Sequence, residues 1–238
     1  QDGHVRAELP GAQILFSSRR GGVSAGPFAS LNLGRLTDDA DAHVDENRAR
    51  LARAVGRPRE RFLYGRQVHG ATVRRATEPP GPGRPHAEED GQATALPDAA
   101  ALVFVADCLP VLLAADGAVA ALHGGWRGLA GGILAEGVRA LRELGAEGPV
   151  AAAIGPGAGG CCYEVGEEVH AELASYDARV GERNLDLKRV ARTQLQAAGV
   201  EAVHDTGLCT MCSDPALFFS HRRDGGVTGR QAGVVWRA

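Results

Sequence analysis

The feature that most constrains this chain is an Asp-Gly pair set between two apolar runs. Val111-Leu112-Leu113-Ala114-Ala115 leads into Asp116-Gly117, and Ala118-Val119-Ala120-Ala121-Leu122 leads out of it to His123. Glycine accepts the positive φ of a tight turn, so the pattern predicts a β-hairpin with a two-residue loop. The loop sets the register: Ala115 faces Ala118, and Pro110 faces His123. Side chains alternate faces with period two, which puts Cys108 and His123 on one face as diagonal neighbours, roughly 7 Å apart at Cβ. That separation is too long for a direct bond and suits one metal ion held between thiolate and imidazole. Pro110 cannot donate to the ladder, so a bulge is expected there.

A preceding apolar run, Ala101 to Ala106, delivers the chain to Asp107-Cys108. Beyond His123 comes Gly124-Gly125-Trp126-Arg127-Gly128, then a helical pattern carried by Leu129, Ile133, Leu134, Val138, Leu141 and Leu144. The glycines let backbone approach whatever Cys108 and His123 hold. The helix N-terminus offers unpaired N–H groups and a positive dipole end, an expected anion site.

The 238 residues suffice for a substantial core. A net charge of -3 disfavours nucleic acid and anionic membrane as partners. No apolar run approaches the roughly 20 residues that span a bilayer. No charged-then-apolar leader follows Gln1, which sets the expectation of a chain without a signal peptide. Five cysteines are too few for a disulfide scaffold of this size, so a reducing cytoplasm is expected. A monomer is the default expectation.

Residues 13–17 read as a strand, followed by a polar, glycine-rich loop from Ser18 to Pro27 that carries Arg19. Ser30-Leu31-Asn32-Leu33-Gly34 is a short apolar piece with an embedded Asn. Residues 40–55 read as a helix with Ala40, Val44, Leu51 and Val55 on one side, and 61–64 and 72–75 as strands. His69 lies between these strands, open to a structural or a ligand role. Pro79 to Pro85 and Glu88-Glu89-Asp90 read as one exposed loop. Strands are expected at 149–154, 200–204 and 232–236. Helices are expected from about Gly166 to Tyr176 and over 186–198. The alternation predicts an α/β (α+β) fold, a single domain over 1–238 with a mixed β-sheet flanked by helices.

The Cys108–His123 pair has two chemical readings. One is a nucleophile–base dyad. The other is two-thirds of a catalytic zinc site, completed by one more His and an open position. Spacing does not choose between them. Cys161-Cys162 and Cys209-x-x-Cys212 read as buried, reduced thiols; a four-thiolate zinc site is the alternative, although adjacent cysteines rarely address one ion.

Several motifs occur together: Gly21-Gly22-Val23-Ser24, Gln67-Val68-His69-Gly70, Ala106-Asp107-Cys108-Leu109-Pro110, His123-Gly124-Gly125-Trp126-Arg127-Gly128, Cys162-Tyr163-Glu164-Val165-Gly166 and Phe219-Ser220-His221-Arg222-Arg223. With Ser30 to Gly34, they resemble the bacterial laccase-domain family, also described as polyphenol oxidases, zinc-dependent purine nucleoside phosphorylases or peptidoglycan-editing factors. The resemblance covers nearly the whole chain. It implies an α/β fold related to deamidase toxins that use a Cys–His pair, a cytoplasmic location, and one metal, usually zinc with copper as alternative, on His69, Cys108 and His123. It implies phosphorolysis of adenosine, inosine, guanosine and methylthioadenosine, with adenosine deamination beside it. Two departures stand out. The Asp116-Gly117 hairpin is shorter than in many relatives. The turn Gly157-Ala158-Gly159-Gly160 lacks a cysteine that relatives often carry, which argues against a large copper cluster.

Three function classes follow: a phosphorylase or deaminase of purine nucleosides, a copper oxidase, and a cell-wall precursor hydrolase. For the first, with a purine nucleoside and phosphate as small-molecule substrates, Cys108, His123 and Arg127 are the expected catalytic residues. Arg19 and Arg127 are expected to neutralise phosphate, and Asn32 to bond a base or ribose edge. Eight histidines, several in segments expected at the surface, suit a multicopper oxidase poorly.

Overall fold

Strands dominate the first half of the chain and alternate with helices in the second. The structure, a computed structural model, describes residues 3–79 and 87–238. In order, the elements are β1 (Val5–Leu9), β2 (Ala12–Phe16), α1 (Asp41–Val55), β3 (Phe62–Leu63), β4 (Val73–Ala76), β5 (Gly91–Thr94), β6 (Ala100–Val105), β7 (Leu109–Asp116) and β8 (Ala118–Gly124). There follow α2 (Trp126–Ala130), α3 (Ile133–Glu143), β9 (Glu147–Ile154), α4 (Glu167–Glu172), β10 (Arg179–Val180), β11 (Asn184–Leu185), α5 (Leu187–Ala197), β12 (Val200–Asp205) and β13 (Gln231–Arg237).

Eleven of these strands build two mixed sheets, ordered β1-β2-β13-β6-β3 and β12-β9-β7-β8-β5-β4, and β10 and β11 pair as a separate two-stranded ribbon. The sheets share a core in which Ile14, Phe16, Val103 and Val235 of the first meet Leu112, Ala114, Val119 and Ala121 of the second. On the far side of the six-stranded sheet, Leu113 and Leu122 pack with Leu134 and Leu141 of α3 and Leu195 of α5. On the far side of the other, Leu51 and Val55 of α1 pack with Leu15, Leu102 and Val234. Both faces of β7 and β8 are therefore buried, which is why they read as continuous apolar runs rather than as an alternation. The α/β class expected from the sequence holds, with two mixed sheets in place of one.

The hairpin has the expected register. Ala115 faces Ala118 and Pro110 faces His123, with Gly117 at φ +93° in the turn. Pro110 makes no bulge against β8; the offset in β7 lies on its other side, between Ala114 and Asp116 against β9. Cys108 is not on the strand but one residue before it, after Asp107 at φ +85°. The apolar run ending at Asp107 is β6, in the other sheet, so residues 106–108 carry the chain across from one sheet to the other. The site is built at that crossing.

Three expectations need correction. The pattern from Leu129 to Leu144 is two helices, because Gly131-Gly132 interrupts it with Gly132 at φ +82°. The first of them spans only Trp126–Ala130, too short for a developed dipole. Ala40 is exposed at the N-cap of α1 rather than on its inner face. The acidic stretch Glu88-Glu89-Asp90 is exposed only at Glu88: Glu89 is buried, and Asp90, fully buried, immediately precedes β5, a strand between β8 and β4. Its Gly91 is required because a Cβ there would lie 2.7 Å from Leu122 and 2.9 Å from Val73. Of the loop expected over Pro79 to Pro85, residues 80–86 lie outside the described residues.

Candidate metal centre and cavity

Asp90 is where the site begins. Its carboxylate accepts the backbone N–H groups of Val68 (3.0 Å), His69 (2.9 Å) and Gly70 (2.7 Å), and meets His123 Nδ1 at 2.7 Å. Burial alone would raise this carboxyl, but the His123 ring and the backbone donors hold it below the ordinary carboxylate range. An ionised Asp90 accepts a hydrogen bond from Nδ1–H, leaving Nε2 of His123 available as a ligand atom. One buried carboxylate thus orients the loop that carries His69 and the imidazole that ends β8.

His69 sits at φ +63°, a left-handed backbone that costs a non-glycine residue about 1–3 kcal/mol. Its N–H on Asp90 stabilises that conformation. Asp107, beside Cys108, is held in the same region by the Thr210 hydroxyl (2.6 Å) and the Arg222 N–H (2.8 Å). One ligand atom from each of His69, Cys108 and His123 lies within 4.8 Å of the others. Metal bonds of about 2.0–2.3 Å bring tetrahedral N and S ligands to about 3.3–3.8 Å of one another, so a small contraction suffices.

Gly125 makes that convergence sterically feasible. A Cβ on it would lie 3.0 Å from His69 Cδ2, 3.3 Å from Cys108 Sγ and 3.9 Å from His123 Cε1. The electrostatics agree. Burial raises the Cys108 thiol, but His123 and His69 bring it down to about 6. Burial lowers His123, yet Cys108 and Asp90 raise it to about 9. Both shifts run toward a thiolate–imidazolium pair in the metal-free protein. A cation replacing the imidazolium proton meets a donor set already deprotonated at sulfur.

The three side chains lie in a cavity of about 890 Å³. Phe104, Trp126 and Tyr163 give it aromatic walls, and Arg35, Arg48, Arg66, Arg127, Arg222 and Arg230 line it, with Asp107 the acidic member. Arg35 is paired to Asp41 and Asp45, and Arg66 to Glu88. Arg127, Arg222 and Arg230 make no ion pair among the described residues; Arg127 stacks on Trp126 at 4.3 Å and Arg222 on Tyr163 at 5.1 Å. A chain of net charge -3 therefore presents a cationic cavity.

His69, Cys108, His123 and Arg127 come together here; Arg19 and Asn32 do not line the cavity. Arg19 donates to the Ala29 and Pro215 carbonyls (2.6 and 3.0 Å) and lies over Phe219 at 4.4 Å, tying its loop to the C-terminal segment. Asn32 is fully buried, donating to Thr37 and Asp39 while its Oδ1 accepts from the N–H groups of Gly34 and Arg230. Its hydrogen-bonding capacity is spent on the fold. Sequence reasoning missed Asp90, Tyr163, Arg222 and Arg230. A metal-bound His calls for a carboxylate behind it, but nothing local marks Asp90 as that carboxylate.

No helix among the described residues is long and apolar enough to cross a membrane. Residues 13–238 match the family model described as multi-copper polyphenol oxidoreductase laccase. Purine nucleoside phosphorylase SCO2081 of Streptomyces coelicolor is 40% identical, covering 97% of this chain and 98% of its own. The crystal structure of YlmD from Geobacillus stearothermophilus superposes with a TM-score of 0.90 at 37% identity over 99% of this chain and 96% of that one. The hypothetical protein YfiH of Bacillus licheniformis gives 0.89 at 30% identity over 97% and 94%. Fold, motifs and match agree, and the chain belongs to the multi-copper polyphenol oxidoreductase laccase family, several of whose curated relatives are named purine nucleoside phosphorylases.

Proposed function

We propose that this protein is a zinc-dependent purine nucleoside phosphorylase. It would cleave adenosine, inosine, guanosine or methylthioadenosine with phosphate, with adenosine deamination as a second activity of the same cavity. The observation that carries the reading is the cavity itself: three metal-type donors on its floor, aromatic faces and arginines without acidic partners on its walls. The names of the relatives point the same way.

Each wall has a task in that reaction. Phe104, Trp126 and Tyr163 offer flat apolar faces to a purine. Arg127 and Arg222 hold inorganic phosphate through charge-assisted hydrogen bonds and place one oxygen against C1′ of the ribose. That oxygen forms a bond to C1′ as the C1′–N9 bond breaks; the electron pair leaves with the purine, which takes up a proton, and ribose 1-phosphate remains. His69, Cys108 and His123 would hold zinc, which supplies Lewis-acid polarisation of an oxygen in the cavity. One thiolate and two imidazoles suit zinc. Of the described histidines, His69, His123 and His221 line the cavity, few for a centre holding several coppers. The reading includes a monomer and a reducing compartment such as the cytoplasm, which suits five free cysteines.

The test is turnover of adenosine and inosine by metal-quantified protein, with and without phosphate. Phosphate-dependent release of free base and ribose 1-phosphate supports the reading. Inosine from adenosine without phosphate reports the deaminase. Oxygen-dependent turnover of a phenol with copper, or release of the amino acid from a UDP-muramoyl amino acid with no nucleoside turnover, would replace it.

A further inference from the structure

The four remaining cysteines, expected as separate buried thiols, form a single group. β9 and β12 are parallel neighbours, so the turns that leave their C-terminal ends emerge side by side. Gly157 and Cys209 form a bridge between the turns, and Thr210 N–H donates to the Gly157 carbonyl at 3.0 Å. Cys161 and Cys162 lie on the first turn, Cys209 and Cys212 on the second. All four Sγ atoms lie within 4.8 Å of one another, with Cys161–Cys212 at 3.5 Å and Cys161–Cys162 at 3.4 Å.

Adjacent cysteines converge here because the first turn is tight. The N–H groups of Cys162 and Tyr163 both reach the Gly159 carbonyl, at 2.9 and 3.0 Å, curling the backbone so that consecutive side chains need not point apart. Gly159 leaves the space they fill: a Cβ on it would lie 3.2 Å from Cys161 Sγ and 3.5 Å from Cys209 Sγ. Four thiolates around zinc, with Zn–S of about 2.3 Å, lie about 3.8 Å apart, the spacing this group already approaches. A backbone donor also faces the group at one corner. Gly159 N–H donates to Cys209 Sγ at 3.3 Å.

We propose that Cys161, Cys162, Cys209 and Cys212 form a second metal site, a closed four-thiolate zinc site with a structural role. Zinc binds with release of the thiol protons to solvent, and four protein ligands leave no open position. The site staples two turns that support the cavity. Thr210, between the cysteines of the second turn, donates to Asp107 beside Cys108. Ala158, on the first, donates its N–H to the Asp107 carbonyl at 2.7 Å, and Tyr163 next to Cys162 is a cavity wall.

The experiment is zinc analysis of protein purified under reducing conditions without chelator, on the wild type, Cys209→Ser/Cys212→Ser and His69→Ala/His123→Ala. Two zinc ions per chain are expected in the wild type and one in each double variant. The ion kept by the His variant, exchanged for cobalt, should show the intense near-ultraviolet charge-transfer bands of several thiolates. Should the Ser variant fail to fold, the His variant alone decides. A His variant that holds no metal, or whose four cysteines react with a thiol reagent at one rate before and after chelation, overturns the proposal, as does a disulfide within the group under these conditions.

Discussion

The two donor groups of this protein solve the same packing problem in different ways. At each, a glycine whose missing Cβ would crowd a cysteine sulfur lets side chains converge: Gly125 at one, Gly159 at the other. The first mixes two imidazoles with one thiolate, draws them from a loop, a sheet crossing and a strand, and opens on a cavity. The second is all cysteine and joins two turns that leave neighbouring strands. Mixed ligation beside a cavity leaves room for chemistry, whereas four thiolates saturate a metal. Behind the first stands a buried carboxylate, Asp90; behind the second, backbone N–H groups. Orientation of a neutral imidazole needs a specific acceptor, while a thiolate is served by any nearby donor.

The sharpest way to break this contrast is to delete one thiolate from each. Cys108→Ala should lower nucleoside turnover by about 10³-fold, the scale of losing the main stabilising group of a polar reaction, with little change in thermal midpoint. Cys209→Ser should do the reverse, lowering the midpoint while leaving the cavity chemistry measurable. Equal effects on both readouts would erase the distinction. Asp90→Asn keeps the shape and removes the charge behind His123. Zinc affinity, by chelator competition, should fall about 10–100-fold. In the metal-free protein the Asp90 carboxyl lies below its unfolded value, so its stabilisation is present above that value and is lost as pH falls through the folded one; the Asn variant should lack that acid limb.

Arg127→Ala should raise the KM for phosphate about tenfold and shift stability by no more than about 0.5 kcal/mol, because the side chain is exposed at the cavity. Arg19→Ala should leave that KM alone and cost about 1–2 kcal/mol, since its guanidinium holds two carbonyls and an aromatic face. The smallest effect is one of reactivity. In metal-free protein, alkylation of Cys108 should rise with a midpoint near pH 6, where its thiol lies, and zinc should suppress it. A midpoint near 8.5, the ordinary thiol value, would mean that His123 and His69 do not face the sulfur.

What could be read from the sequence follows from how local each signal is. Asp116-Gly117 between apolar runs fixes a turn, and the turn fixes which residue faces His123, so two of the three donors of the candidate metal centre were visible in one short stretch. His69 entered only through resemblance, because its loop carries no periodicity. Asp90 hid in an acidic run ahead of Gly91-Gln92-Ala93-Thr94, a short strand without large apolar side chains, whose Gly91 leaves room for Leu122 and Val73. Arg222 and Arg230 reach the cavity from the far end of the chain, a placement no local pattern encodes. Asn32 and Arg19 misled for a shared reason: a polar residue that braces backbone looks, in sequence, like one that binds a ligand.

The central claim is that the floor of the cavity binds one zinc and runs phosphate-dependent chemistry there. The most direct test follows inosine cleavage by zinc-loaded protein as phosphate is varied from none to saturation, with Cys108→Ala as control. The account expects a rate that rises from near zero with phosphate, yields ribose 1-phosphate, and vanishes in the variant. Turnover independent of phosphate, or retained in Cys108→Ala, would contradict it.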